Sequence, residues 1–439
     1  MKYNKETLRK FIPGGCHTYS KGEDTFSDNV PDLISKGKGA YVWDQDNNKF
    51  LDFTMGLTSV TLGHSFKEVD DFVIKNLRLG LNFQRPSKIE LDYAYNFLKL
   101  LPNHQMIKFA KNGSTVTTAA TKLARAFTKR KLIAFPFDQP FFSYDDWFIG
   151  KTKCDLGVPE EIKNLSVTFK SCSMESLNDL FERHPNQIAC VIMEPTRSNC
   201  YSCNCSLDNE SYLKKAIELT RKNGSIFILD EMITGFKASF PGITTKYNLD
   251  TDITTWGKSI SNGYSFACMT GKQNVMSLGG IESMGKEKLF LTSTTHGAET
   301  VGIAGALATL NFYNNNNVIS KNLDLGLTLI EKINKLIKKY KLLGYIKITN
   351  CPWMISFLFD EDIKTNSLIH STFFTQQMIK KKILIQNSLI VSYSHSEIEI
   401  EIFIEAFESF LETYQNFINS KMYDFELTHI KKPVFRKYI

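Results

Sequence analysis

No run of the 439-residue chain approaches the ~18 uninterrupted apolar residues of a membrane-spanning helix. That excludes a helical membrane protein. The opening Met1-Lys-Tyr-Asn-Lys5 lacks the apolar core of a signal peptide, which predicts a cytoplasmic protein. An excess of one charge is also missing: 53 Lys and Arg against 46 Asp and Glu leave a formal +7, and the basic residues form no arm or stripe. Nucleic acid is thereby excluded as an expected partner. Cysteine is sparse at 9 residues, an odd number spread along a large chain, so reduced thiols are expected rather than a disulfide framework. The one dense group, Cys200-x-x-Cys203-x-Cys205, has no nearby histidine to complete a ligand set, and it is read as loop thiols, with no metal.

What is present is length and alternation. A chain of this size exceeds what one hydrophobic core usually supports, so two unequal lobes are expected. From about residue 130 to 270, short β-branched runs alternate with helical patterns, the mark of a mostly parallel sheet. Strands are predicted at Lys131–Phe135, Ile188–Met193, Ser225–Leu229 and Asp252–Trp256. Asn209–Lys222 carries apolar residues at helical spacing and stops at Asn223-Gly224, which predicts a crossover helix. A small-residue helix over 301–313 gives way to Asn314-Asn-Asn-Asn317, where the domain boundary is placed. The tail then reads strand (Tyr345–Phe359), helix (Ser371–Lys382), strand (Ile383–Val391) and helix (Glu397–Ile418), a small α+β lobe. The organisation expected is an N-terminal segment over 1–70, a large domain over 71–313 and a small domain over 314–439.

Three segments carry chemistry. Ile226-Phe-Ile-Leu-Asp230-Glu-Met232-Ile-Thr-Gly235-Phe puts an acid just after a buried strand, where ligands gather in α/β sheets. Such a carboxylate can keep a pyridinium nitrogen protonated; it can equally cap a helix. Gly257-Lys258, at the end of another apolar run, offers an amine to the same crevice, and desolvation there would leave enough neutral amine to form an imine. An exposed surface lysine is the plain alternative. Lys111-Asn-Gly113-Ser114-Thr115 opens a helix on a small polar turn, whose amides and hydroxyls suit a phosphate dianion or simply cap the helix.

Together these segments resemble the class III aminotransferases, and within them the glutamate-1-semialdehyde 2,1-aminomutase group. The likeness runs from Ile12-Pro-Gly-Gly15 and Gly39-Ala-Tyr-Val-Trp-Asp44 through Gly63-His64, the Gly113-Ser114 turn, Met193-Glu194-Pro195 and the Asp230-Glu231 and Gly257-Lys258 motifs. It continues in Thr294-Thr295-His-Gly-Ala-Glu299 and ends near Ser392-Tyr-Ser-His395. The resemblance implies fold type I, with a mostly parallel seven-stranded sheet, a smaller α+β C-terminal domain, and a homodimer that shares its active sites. It implies pyridoxal 5'-phosphate as cofactor, linked to Lys258 as a Schiff base, with Asp230 on the pyridinium. Gly113 and Ser114 match the phosphate cup, with the Thr115 hydroxyl a further donor offered by the turn, Thr295 a phosphate donor from the other subunit, Phe141 the ring-stacking aromatic, Asn199 a polar residue near the ring hydroxyl, and Met232 a further cofactor-binding residue.

The chain also departs from that pattern. Lys21 stands where the aminomutase has a carboxylate-binding arginine, and a lysine lacks the planar two-pronged donor set. Thr115 replaces an acid, and Phe142-Ser143 stand where His-Gly is usual. Arg85 and Arg197 are further candidates for an anionic substrate. The expected activity is transfer of an amino group from a small-molecule donor to a carbonyl acceptor, through the internal aldimine, a ketimine and pyridoxamine phosphate. Suggested substrates are amino sugars, amino alcohols or keto acids for a cell-surface polymer or specialised metabolite. An intramolecular 2,1-aminomutase and a non-catalytic binding protein are the alternatives.

Overall fold

The computed structural model describes residues 3–195, 209–282, 285, 287–360, 367–420 and 427–439. These fall into two compact units, one formed by residues 3–66 with 317–434, the other by 67–316 with 435–439. No described helix is long and apolar enough to cross a membrane.

The first unit begins with a meander, β1 (Ile34–Lys38), β2 (Tyr41–Asp44) and β3 (Lys49–Asp52). In the second unit seven strands form one sheet: β4 (Met106–Ala110), β5 (Leu132–Pro136), β6 (Ser166–Phe169), β7 (Ile188–Met193), β8 (Ile226–Asp230), β9 (Ile253–Trp256) and β10 (Ala267–Gly271). Their order is β4-β10-β9-β8-β7-β5-β6, and only β10 runs antiparallel to its neighbours. Every residue of β5, β7 and β8 is buried, because helices cover both faces of such a sheet; their unbroken apolar runs are the sequence counterpart. The helix Asn209–Lys222 joins β7 to its parallel neighbour β8, as the spacing predicts. The helix Gly113–Thr128 lays Val116, Ala119, Ala120, Leu123 and Ala124 into the core of this sheet.

The chain returns to the first unit through the helix Val318–Lys339. Here the expected strand over 345–359 is instead a hairpin, β11 (Ile346–Ile348) and β12 (Ile355–Phe359), since Pro352 in the intervening turn cannot continue a ladder. The expected strand over 383–391 is also divided. Its first part, β13 (Ile383–Leu384), pairs in parallel with β3, whereas β14 (Ser388–Leu389) pairs antiparallel with β12. The helices Ser367–Lys380 and Glu397–Ser420 complete an aromatic core in which the Phe373 and Phe417 rings stack at 4.0 Å.

Candidate active site

Three neighbouring parallel strands end side by side in the sheet, and each delivers a charged side chain at its carboxyl end. Asp230 is the last residue of β8, Glu194 follows the last residue of β7, and Lys258 lies two residues beyond β9. The register pairs Asp230 with Thr255, so the Thr255 hydroxyl donates to Asp230 Oδ1 at 2.9 Å. The Met232 amide donates to the same oxygen at 2.9 Å. Among the described residues nothing donates to Oδ2. Asp230 is 2% exposed, and burial pushes its carboxyl up to about 6, against the pull of these donors and of Lys258.

Lys258 opens a short 3-10 turn, Lys258–Ser261, with φ +50°, the left-handed region that costs an ordinary residue about 1–2 kcal/mol. The turn is held closed by the Ser261 hydroxyl, which donates to the Tyr264 carbonyl at 2.6 Å. Burial lowers the Lys258 ammonium below its ordinary value, while Asp230 and Glu194 oppose that shift. Glu194 is itself fixed through its backbone by the buried Gln139, whose amide accepts from Glu194 N at 2.8 Å and donates to its carbonyl at 3.2 Å. A second lysine belongs to the group: Lys237 is 4% exposed, and burial first, then Lys258, holds its ammonium well below the ordinary value, with Glu194 acting the other way. The sequence reading passed over Lys237; its place just after the Asp230-Glu231 segment was the available signal.

Met232 packs between two glycines. A Cβ at Gly257 would lie 2.2 Å from Met232 Sδ, and one at Gly113 2.8 Å from it, so both backbones need their missing side chains for this close approach. Gly113 starts the helix Gly113–Thr128, whose cap Asn112 accepts from the Thr115 amide at 2.9 Å and the Thr115 hydroxyl at 3.1 Å. Both Thr115 donors are therefore occupied locally, whereas the Gly113 and Ser114 amides reach no acceptor among the described residues. The Ser114 hydroxyl accepts from Tyr144 N at 3.0 Å, which pins the Phe141–Tyr144 loop over the helix start.

Phe141 is 44% exposed, its ring against Phe148 and Phe435, while Phe142 is buried in the core. Thr295 is exposed, and its carbonyl accepts from Asn82 Nδ2 at 3.1 Å. Arg85 is exposed and forms no salt bridge with a described residue. Lys21 belongs to the other unit, where it lines a cavity of about 500 Å³ together with the paired Asp52 and His64, 2.8 Å apart. Asn199, Arg197 and the Cys200, Cys203, Cys205 group lie outside the described residues.

A sheet edge that gathers a lysine, an aspartate and a glycine-bearing helix start is the architecture of the fold type I transferases. The family model of the class III aminotransferases matches residues 24–407, and the chain belongs to that family, whose members are pyridoxal-phosphate-dependent enzymes. Among curated proteins it is 31% identical over 283 residues to a glutamate-1-semialdehyde 2,1-aminomutase of Acidobacterium capsulatum, covering 62% of this chain and 65% of that one. A second, from Wigglesworthia glossinidia brevipalpis, is 31% identical over 279 residues, covering 61% and 63%. The aligned stretch thus spans less than two thirds of either relative. Among solved structures, the pyridoxal-phosphate internal aldimine form of the FumI protein of Sphingopyxis sp. MTA144 superposes with a TM-score of 0.84 at 20% identity, covering 95% of this chain and 96% of that one. A glutamate-1-semialdehyde aminomutase of Pseudomonas aeruginosa PAO1 gives 0.79 at 16%, covering 93% of each. These likenesses establish the fold.

Proposed function

We propose that the chain transfers an amino group from a small-molecule donor to a carbonyl acceptor, with pyridoxal phosphate held at the carboxyl ends of β7, β8 and β9. The observation that carries this reading is the meeting of Asp230 and Lys258 on neighbouring strand ends, with Asp230 Oδ2 left over after Oδ1 has taken two donors. The residues present fit the cofactor. Oδ2 would hold the proton of the pyridine nitrogen, the Gly113 and Ser114 amides and the helix start would take the phosphate, and Lys258 Nζ would make the covalent link. Met232, wedged between Gly113 and Gly257, would support the ring, with Phe141 and Asn199 as further contacts.

When bound there, the cofactor supplies an electron sink for the negative charge left when the amine-bearing carbon loses its proton. The remaining work belongs to the chain. Lys258 Nζ, whose ammonium desolvation holds below its ordinary value, takes that proton and returns it one position away. Asp230 keeps its negative charge against the ring proton, and Thr255 and the Met232 amide hold the carboxylate in place. Arg85, exposed in the same unit as the strand ends, is proposed to meet an anionic substrate; Lys21 belongs to the other unit and Arg197 lies outside the described residues. The reading includes a cytoplasmic homodimer in which the exposed Thr295 serves the neighbouring protomer's phosphate. It also includes a substrate such as an amino sugar, amino alcohol or keto acid.

The 31% identical relatives favour a second reading on the same residues, an intramolecular aminomutase. One experiment separates the two. The protein is incubated with pyridoxal phosphate, reduced with borohydride and digested; the cofactor mass is expected on the Lys258 peptide and absent from Lys258→Ala. An adduct elsewhere, or none, sinks the proposal. Unreduced protein is then given a panel of free amines: a stoichiometric carbonyl product means transfer, and nitrogen retained within one molecule means the mutase.

A further inference from the structure

We infer that Glu231 is a positioning residue: its carboxylate clamps the turn after β8 to the segment 242–244, which keeps the Met232 amide on Asp230 Oδ1 and leaves Oδ2 for the cofactor's ring nitrogen. The inference rests on the proposed role of Asp230 and deepens it.

Glu231 follows Asp230 directly and still joins the sheet, its amide donating to the Thr255 carbonyl at 2.9 Å. Its carboxylate shares no described partner with that of Asp230. The side chain is 0% exposed and takes four donors: Thr244 N at 2.6 Å and Thr244 Oγ1 at 2.8 Å on Oε1, Thr234 Oγ1 at 2.7 Å and Ile243 N at 3.0 Å on Oε2. An ionised carboxylate offers about four lone-pair sites, so this set fills it and leaves no room for a ligand. Burial by itself pushes the Glu231 carboxyl above its ordinary value; the donors pull it back.

What so satisfied a group can do is hold backbone. The turn is closed on Glu231 twice, by the Thr234 hydroxyl and by Gly235 N, which donates to the Glu231 carbonyl at 3.0 Å, and Ala238 N donates to the Thr234 carbonyl at 2.9 Å. Ile243 and Thr244 anchor the same carboxylate from the far side of the turn. The approach there is too close for a side chain: a Cβ at Gly242 would stand 2.6 Å from Glu231 Oε1 and 2.7 Å from Oε2, although φ −174° suits any residue. Met232, the next residue, inherits this restraint. Its amide donates to Asp230 Oδ1 at 2.9 Å, and its sulfur fills the space that side chains at Gly257 and Gly113 would need. In Glu231→Gln an NH2 group would confront two of the four donors in a buried site, so the turn must shift and carry the Met232 amide with it.

The test compares two cofactors on the full chain stripped of cofactor. One is pyridoxal phosphate; the other is its deaza analogue, which keeps the aldehyde and phosphate but has carbon in place of the ring nitrogen. Dissociation constants are measured for both by absorbance titration, and their ratio isolates the contact with Asp230. The parent is expected to prefer pyridoxal phosphate, and Asp230→Asn to lose that preference. Glu231→Gln is expected to lower the preference about tenfold, as weakening of a charge-assisted hydrogen bond demands. Gly242→Ala, whose Cβ displaces the same carboxylate, is expected to lower it in the same direction and carries the test should Glu231→Gln fail to fold. A residue that only stabilises the fold would weaken both cofactors equally and leave the ratio unchanged. That result in either folded variant overturns the inference. A parent without any preference removes the role of Asp230, and the inference with it, whereas a missing borohydride adduct on Lys258 overturns the proposed function.

Discussion

Two regions of the molecule bury a lysine amine, and they do so to different ends. At the strand ends of the large sheet, Lys258 and Lys237 share their surroundings with Asp230 and Glu194, on a backbone forced to positive φ at Lys258. In the other unit, Lys431 is 4% exposed and among the described residues reaches only neutral partners, Thr375 Oγ1 at 3.1 Å and Asn387 Oδ1 at 2.6 Å, while its amide donates to Thr372 Oγ1 at 3.1 Å. Burial alone lowers the Lys431 ammonium to about 7. Both regions thus contain a lysine whose ammonium lies below its ordinary value, and desolvation is the shared cause. Among the described residues, the first region adds a carboxylate whose Oδ2 takes no donor, the Gly113 and Ser114 amides without an acceptor, and a positive φ at Lys258. A neutral buried amine by itself therefore does not mark a reactive site; the groups converging on it do.

The strongest way to break this comparison is to remove each amine in turn. Lys258→Ala is expected to lower amino transfer by at least about 10³-fold, as loss of a group that both links the cofactor and moves the proton demands. Lys431→Met is expected to leave turnover within about threefold where the protein is folded. Equal losses in the two variants, measured with one donor and acceptor pair, would erase the distinction.

Stability against pH sharpens it further. The folded Lys431 ammonium lies near 7, below the ordinary 10.4 of the unfolded chain, so its contribution is greatest above about pH 10 and is lost as pH falls towards 7. Relative to the parent, Lys431→Met should gain stability over that interval, by on the order of 4 kcal/mol at most. Urea melts at pH 7 and pH 9.5 check this; a constant difference between the two proteins would contradict it.

Asp230 titrates with the opposite sense. Its folded carboxyl is raised to about 6 from the ordinary 3.9, so its contribution is full below about pH 4 and is lost as pH rises through 6. In cofactor-free protein, Asp230→Asn should therefore gain about 2 kcal/mol on the parent between pH 4 and 8 while losing amino transfer. A variant that gains nothing on raising the pH would mean that Asp230 is not held buried and charged.

Much of this was legible beforehand, for identifiable reasons. β7 and the helix Asn209–Lys222 fall where the pattern places them, because a strand covered on both faces is a continuous apolar run and the Asn223-Gly224 stop is local. The tail was harder to read: 345–359 and 383–391 each look like one apolar strand, yet Pro352 and the pairing choices of β13 and β14 divide them. Asp230 and Lys258 were visible as motif residues, since each follows an apolar run. Thr115 shows the opposite case, for its sequence position suggests a phosphate donor while Asn112 engages both its amide and its hydroxyl.

By itself, then, the sequence determined the alternation that makes a parallel sheet, the family, and the acid and lysine on which the chemistry would turn. These are properties of local pattern, fixed by period, by glycine and by residue type. Only the tertiary structure decided that Glu194, Asp230 and Lys258 stand on adjacent strand ends, that Met232 fills the gap between Gly113 and Gly257, and that Lys237 joins the group from the turn after β8. Strand order and burial bring those residues together across gaps of up to 144 positions in the chain, from Gly113 to Gly257, a distance that no local pattern encodes.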